Sequence, residues 1–145
     1  MTLTLDGVNT KMKIKFDFIT NSSSSSFIIL TKDFVEMKAV KSILKELAGE
    51  SKMLPDLPQQ IADTITDSME KITVKGLMDD YGYMDIDEFR GDNGYYDVIF
   101  ENPDYPNIFV GSVANDTGNE VETMLCEAEI DYKDNYIIIK KDGGF

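Results

Sequence analysis

The chain has 145 residues, of which 42% are hydrophobic and 10% aromatic, a composition typical of a folded domain and not of a disordered chain. A domain of this length can bury a sufficient hydrophobic core without stabilising disulfide bonds or metal ions. The single cysteine, Cys126, excludes an internal disulfide, and we expect it to be a buried structural thiol. The formal net charge is −13 and histidine is absent, which excludes Ser–His–Asp and Cys–His catalytic arrangements within the chain.

The charge is distributed unevenly along the chain. Residues 1–50 contain seven lysines and six acidic residues, whereas residues 51–145 contain seven basic and twenty-one acidic residues. Within 76–106 nine acidic residues face one base, Arg90. Such a field repels phosphate and anionic lipid, so we expect no direct nucleic-acid or membrane binding. The sequence shows no membrane span and no signal peptide, and we expect a cytoplasmic protein.

The N-terminal pattern predicts strands around a serine-rich loop. Alternation predicts a short strand over Met1–Asp6 and a strand with one buried face over Lys11–Phe18. The unbroken apolar run Phe27–Leu30 predicts a strand buried on both faces. Serine and asparagine stabilise turns by bonding to nearby backbone, so a structured loop is expected between the strands. The loop residues singled out as candidates for recognition are Asn21, Ser22, Ser23, Ser24, Ser25 and Ser26.

The same segment carries a resemblance. The string from Lys13, K-x-x-F-x-F-I-T-N-S-S-S-S-S-F-I, resembles an N-terminal signature of small, uncharacterised bacterial and bacteriophage proteins. The match covers about Lys13–Ile29. The resemblance implies a bacterial or phage origin, and therefore the cytosol of a bacterial host, but it implies no activity and no catalytic residue.

The serine loop leaves three roles open. It is a structural turn, a cradle for a phosphate or nucleotide, or a site that another protein recognises or modifies. A cradle would use hydroxyl and backbone N–H groups, although no glycine and no Gly-Lys-Ser/Thr motif accompanies the serines.

The middle of the chain predicts two principal helices. Asp33 and Glu36 have the spacing of a capping box, and Gly49 suits a left-handed C-terminal position, which predicts a helix over 33–48. Its apolar stripe is Val40, Ile43, Leu44 and Leu47. A second helix is predicted over 58–72, capped by Asp56. Its apolar stripe is Ile61, Ile65, Met69 and Ile72.

Residues 76–94 form the densest acidic region. Short helices are expected here, one of them capped by Asp85 with Glu88 at the capping-box spacing. Carboxylates suit calcium or magnesium, but the EF-hand spacing is absent, and we expect neither a metal nor another cofactor. Tyrosine is common at protein interfaces, and Tyr96 and Tyr105 belong to the same tyrosine-rich stretch. The candidate binding residues are Asp79, Asp80, Tyr81, Tyr83, Asp85, Asp87, Asp92 and Tyr95.

The C-terminal third is predicted to be mainly strands. The predicted elements are strands Tyr95–Phe100 and Ile108–Val113, a short helix Glu120–Cys126, and a hairpin of Ala128–Tyr132 and Tyr136–Lys140. Together, the predicted elements indicate one α+β domain over 1–145, with a mainly antiparallel sheet and two principal helices packed on it.

The sequence favours a non-enzymatic acidic accessory protein that binds another, basic protein through its acidic, tyrosine-containing surface. Inhibition of a host or defence factor is one form of that function. Two alternatives stay open, namely a phosphate- or nucleotide-binding module that uses the 21–26 loop, and a structural component that forms homo-oligomers. Solvation alone also explains an acidic surface.

Overall fold

A computed structural model describes residues 17–18, 24–49, 54–114 and 120–142. The strand predicted over Met1–Asp6 lies outside these residues, and so does Lys11–Phe18 except for its last two positions. In chain order the strands are β1 (Asp17–Phe18), β2 (Ser24–Thr31), β3 (Glu70–Ile72), β4 (Asn107–Ala114), β5 (Ala128–Glu129), β6 (Asp131–Lys133) and β7 (Ile137–Asp142). The helices are α1 (Met37–Ala48), α2 (Leu57–Thr66), α3 (Val74–Tyr81), α4 (Ile86–Asp92), a 3₁₀ turn (Gly94–Tyr96), α5 (Asp97–Glu101) and α6 (Glu120–Glu127).

The fold is α+β and is built on a five-stranded antiparallel sheet of order β3-β4-β2-β7-β6. Strand β2 lies at its centre, with Ile28 opposite Val110 of β4 and Ile29 opposite Ile139 of β7. Strands β1 and β5 form a separate antiparallel pair. The predicted fold class, with a mainly antiparallel sheet, is therefore confirmed.

Strand β2 is buried on both faces, as its apolar run predicts. Phe27 and Ile29 belong to one hydrophobic core, and Ile28 and Leu30 belong to a second core. Successive side chains of a strand point to opposite faces, so each face of the sheet has its own core. Each core requires a helical layer to cover it.

Helices α1, α2 and α6 cover the first core. The predicted stripe of α1 is confirmed, because Val40, Leu44 and Leu47 are buried and Ile43 packs against them. Gly49 ends this helix with the positive φ of 84° that its position predicted. The predicted short helix after residue 119 is also present as α6, and Cys126 within it is buried as expected.

The shorter helices α3, α4 and α5 cover the second core, and this layer differs most from the prediction. Aromatic and β-branched residues predicted a strand over Tyr95–Phe100, and that prediction is wrong because the segment is a 3₁₀ turn followed by α5. Tyr96 and Phe100 are four residues apart and both contact the ring of Phe89, at centroid distances of 5.8 Å and 6.3 Å. Helical spacing, not alternation, brings these rings to one core.

Helix α1 begins four residues later than predicted. The Asp33–Glu36 capping box does not form, because Glu36 is the N-cap and makes no side-chain cap bond. The Lys32 N–H instead donates to the Tyr136 carbonyl at 3.2 Å, and the Thr31 hydroxyl donates to the Phe34 carbonyl. The bond from Lys32 continues the contact of this segment with the β7 side of the sheet, and the bond from Thr31 is local to residues 31–34, before the helix starts.

Helix α2 ends at Thr66, although its apolar spacing continues to residue 72. Asp56 holds the predicted cap position without a side-chain bond. Beyond the helix, β3 pairs with β4 so that Lys71 lies opposite Phe109. The Ser112 N–H of β4 donates to the Ser68 hydroxyl at 2.9 Å, and this bond holds the segment before β3 against β4. Pairing with the sheet therefore overrides the helical period after residue 66.

The C-terminal strands follow the prediction with one correction. Strand β4 includes the predicted strand Ile108–Val113. The strand predicted over Ala128–Tyr132 is divided, because β5 pairs with β1 and only β6 pairs with β7 in the predicted hairpin. The Asp134 carboxylate closes its turn by accepting the N–H groups of Tyr136 and Ile137 at 2.8 Å and 2.9 Å. Within the described ranges, no helix has both the length and the apolar character that crossing a membrane requires.

We predict that Gly111→Ala destabilises the protein. A Cβ atom at Gly111 would lie 2.7 Å from Met69 Cγ and 2.9 Å from Met69 Cα, so either the sheet or the start of β3 has to move. Overpacking of this kind costs about 1–3 kcal/mol, measurable as a change in the free energy of unfolding in denaturant.

Gly91→Ala is the matched control, because a Cβ at this position in α4 meets nothing within 4 Å. Replacing a helical glycine by alanine is expected to stabilise the protein by up to about 1 kcal/mol. Equal stability changes for the two variants would contradict the close approach of β3 to β4.

Candidate functional site

The candidate binding residues lie on the helical layer that covers the second core, around one buried ring. Phe89 of α4 is fully buried and contacts Tyr81 and Tyr83 edge-on, at centroid distances of 5.9 Å and 5.4 Å. Tyr95 and Tyr96 pack together at 5.0 Å. We refer to Tyr81, Tyr83, Phe89, Tyr95, Tyr96 and Phe100 as the aromatic cluster.

The turn between α3 and α4 is closed at both ends. Gly82 has a φ of 77°, which suits the end of a helix, and the Tyr83 N–H donates to the Met78 carbonyl at 2.9 Å. At the other end the Asp85 carboxylate accepts the Asp87 N–H at 3.1 Å and caps α4. The predicted capping role of Asp85 is confirmed, and the backbone between the two helices is fixed.

Tyr83 joins this turn to the end of α4. Its hydroxyl donates to Asp92 Oδ2 at 2.7 Å, across nine residues of sequence. The hydrogen bond to Asp92 raises the pKa of Tyr83 above its ordinary value of 10.0, and desolvation adds to the effect. Tyr83 and Asp92 are therefore engaged with each other, whereas Tyr81 shares a 2.8 Å hydroxyl contact with Tyr96.

The carboxylates outside the aromatic cluster are exposed. Asp87 and Glu88 lie in the first turn of α4, where negative charge favours the helix. Asp79 and Asp80 lie at the end of α3, where negative charge opposes the helix dipole. We refer to the exposed carboxylates of Asp79, Asp80, Asp85, Asp87, Glu88 and Asp92 as the acidic face.

The one base of this region is already engaged. Arg90 Nε lies 3.4 Å from Asp97 Oδ1, and the Arg90 guanidinium lies over the Phe100 ring at 4.9 Å. Both partners of the ion pair are partly exposed, so the pair adds little to stability. Arg90 is therefore directed to Asp97 and Phe100 and not to the carboxylates of the acidic face.

The acidic face does not have the geometry of a metal centre. Among the residues that the structure describes, no group of three Asp, Glu, Cys or His side chains is arranged to hold a metal ion. The carboxylates form a surface of spread charge, which suits several cationic groups of a large partner better than one ion.

Tyr105 does not join the other tyrosines. It is buried near the β6–β7 hairpin, its hydroxyl donates to the Asp134 carbonyl, and Lys32 lies over its ring at 4.9 Å. Tyr95 is part of the aromatic cluster, but it is only partly exposed. Of the candidate tyrosines, Tyr81 therefore presents the most surface, with 49% of its side chain exposed.

The serine segment is only partly described, and its described part is not a loop. Ser24, Ser25 and Ser26 belong to β2 and lie opposite Ala114, Val113 and Ser112 of β4, while Asn21, Ser22 and Ser23 lie outside the described residues. The buried Ser25 hydroxyl donates to the Cys126 carbonyl at 3.3 Å. Pairing with β4 overrides the turn preference of serine at these three positions.

Two concave surfaces are lined by described residues, and the second of them reaches the acidic face at Asp80. A cleft of about 300 Å³ is lined by Phe34, Ile43, Glu46, Leu47, Asp134, Tyr136 and Ile137. A shallower groove of about 420 Å³ runs along β3 to Asp80. The polar rim of the first includes Asp134, whose carboxylate already closes the β6–β7 turn.

The sequence analysis missed the exposed apolar side chains within the acidic face. Met84 is 100% exposed and Ile86 is 43% exposed. The signal was present, because a glycine that ends one helix and an aspartate that starts the next leave Met84 at the apex of the turn.

No protein-family model, no curated protein and no solved structure matches the chain.

We predict that Asp92→Asn returns the pKa of Tyr83 toward its ordinary value, because the neutral amide weakens the hydrogen bond that chiefly raises this pKa and also removes the nearby charge. In the native protein the raised pKa means that the contribution of this pair to stability is present below pH 10.0 and is lost as the pH rises through the folded-state pKa. NMR titration of the tyrosine Cζ signals, assigned with Tyr83→Phe, measures the shift. Identical Tyr83 titrations in the native and Asp92→Asn proteins would contradict the hydrogen bond.

Proposed function

We propose that this chain is a non-enzymatic acidic accessory protein that binds a basic protein through the acidic face. The observation that carries the proposal is the position of Asp79 and Asp80 in the last turn of α3. Carboxylates there oppose the helix dipole, so their charge does not favour the helix that holds them. Groups that reduce local stability are characteristic of functional surfaces.

Rigidity supports the same proposal. The acidic face rests on the aromatic cluster and on a turn that is capped at both ends, so its charges are held in place before a partner arrives. A surface that is ordered before binding loses less conformational entropy on association. Complementary charge then steers a basic partner and selects against acidic ones.

The proposal includes a biological setting that the N-terminal resemblance suggests. The partner would be a bacterial protein with a positively charged groove, such as a nucleic-acid-binding host or defence factor. Six exposed carboxylates on a short helical layer offer spaced negative charge to a groove that otherwise binds phosphates. Inhibition would follow from occupation of that groove.

The test is affinity capture of the tagged 145-residue chain from bacterial lysate at about 0.1 M and about 1 M salt, between which the Debye length falls from about 10 Å to about 3 Å. We predict that a basic protein is retained at low salt and released at high salt. A variant with Asp79→Asn, Asp80→Asn, Asp87→Asn and Glu88→Gln is expected to lose it. These four positions exclude Asp85, which caps α4, and Asp92, which holds Tyr83.

The matched control neutralises four exposed acids away from the acidic face, namely Asp33, Glu36, Glu46 and Asp131. It changes the net charge equally and should retain the partner. Equal retention by both variants, or retention of the partner at high salt, would contradict binding through the acidic face. The thermal midpoint of each variant shows that loss of binding does not reflect unfolding.

A further inference from the structure

The α3–α4 turn presents an apolar side chain that nothing in the fold requires. Met84 is 100% exposed, and Ile86, two residues further on, is 43% exposed. Exposure of single apolar residues is common, but these two lie within the densest negative charge of the chain. Apolar surface enclosed by like charge is unsuited to self-association and suited to a partner of opposite charge.

The turn holds Met84 in place. On one side the Tyr83 N–H bonds to the Met78 carbonyl and the Tyr83 ring packs on Phe89. On the other side Asp85 caps α4 through the Asp87 N–H. The backbone on both sides of Met84 is fixed while its flexible, polarisable side chain remains free to adapt to a surface, which is the combination that suits an anchor residue.

We propose that Met84, supported by Ile86, is the apolar anchor of the acidic face, and that it binds a basic amphipathic helix. The anchor would contact the apolar side of that helix while Asp79, Asp80, Asp87 and Glu88 pair with lysines and arginines beside it. This proposal rests on the proposed function, because it specifies the chemistry of the partner that the acidic face would bind.

Charge decides between this occupant and a second copy of the chain. The apolar cleft lined by Phe34, Leu47 and Tyr136 would be the natural receptor for Met84 of another copy. Its rim contains Glu46 and Asp134, and each chain carries a net charge of −13. Inserting the acidic turn there would bring like charges together, which is unfavourable.

The test uses the 145-residue chain and three synthetic peptides of about 18 residues, or about five helical turns. One is an amphipathic lysine–leucine helix, the second has serine in place of leucine at the same charge, and the third has glutamate in place of lysine. We predict that the lysine–leucine peptide binds most tightly by fluorescence anisotropy and shifts the Met84 methyl signal in NMR spectra. Met84→Ser is expected to weaken its binding about tenfold, the loss typical of an anchor residue.

Two variants separate an anchor from a general loss of apolar surface. Val35 is 53% exposed and lies outside the acidic face, so Val35→Ser should leave binding unchanged. Met84→Leu should retain most of the affinity, since it preserves apolar volume. Because Met84 is fully exposed, none of these changes should alter the thermal midpoint.

The outcomes distinguish the anchor from the proposed function. If Met84→Ser binds the peptide as tightly as the native chain while neutralising Asp79, Asp80, Asp87 and Glu88 abolishes binding, the anchor is wrong and the acidic face stands. If neither variant affects binding, both proposals fail. A dimer in analytical ultracentrifugation that Met84→Ser abolishes would replace the basic helix by a second copy as the occupant.

Discussion

Strand β2 has to bury apolar side chains on both of its faces, and the rest of the architecture follows from that demand. Phe27 and Ile29 require one helical layer, and Ile28 and Leu30 require another. A central antiparallel strand with two covered faces is less common than one with a solvated face, because most antiparallel sheets leave one side to water. The second helical layer exists to meet this demand, and it is the layer that carries the acidic face.

The second layer combines local repulsion with firm internal packing. Its helices are short, and short helices are only marginally stable by themselves. In addition, Asp79 and Asp80 oppose the dipole of α3, so the helices of this layer depend on packing for their stability. Phe89 provides this packing, because its buried ring in α4 contacts aromatic side chains from α3, the α3–α4 turn, the 3₁₀ turn and α5. The aromatic cluster therefore gives a dense negative surface a fixed backbone, and a fixed surface loses less conformational entropy when a partner binds.

This packing divides the candidate residues into those that are bonded within the fold and those that are exposed. Asp85 and Asp92 serve the fold by capping α4 and holding Tyr83. Asp79, Asp80, Asp87 and Glu88 are exposed around the same turn and are the charges available to a partner. Experiments on the proposed binding surface should therefore change the second group and spare the first, which supports the fold.

The sequence predicted the elements whose pattern is local and strong. An unbroken apolar run located β2, a β-rich segment located β4, and helical spacing located α1 with its buried stripe. Predictions were wrong where a partner distant in sequence decides the outcome. Pairing with β4 ends α2 at Thr66, and packing on Phe89 makes a helix of residues 97–101 despite their preference for strands.

The candidate site shows the same division. The acids and tyrosines of 79–96 were visible in the composition, and the cap at Asp85 was visible in its spacing. Their separation into engaged and available groups depends on the contacts of Tyr83 and Arg90, which no local pattern specifies. Ser24–Ser26 illustrate the converse, because a turn-favouring run becomes part of the central strand once β4 lies beside it.

Hydrogen–deuterium exchange of the full chain, with and without the basic protein captured at low salt, tests the central claim most directly. Binding through the acidic face predicts slower exchange in peptides that cover 78–88, with no change around Phe34 and Tyr136. Protection confined to the cleft beside Phe34 and Tyr136, with 78–88 unaffected, would contradict the account and transfer the binding site to the opposite core.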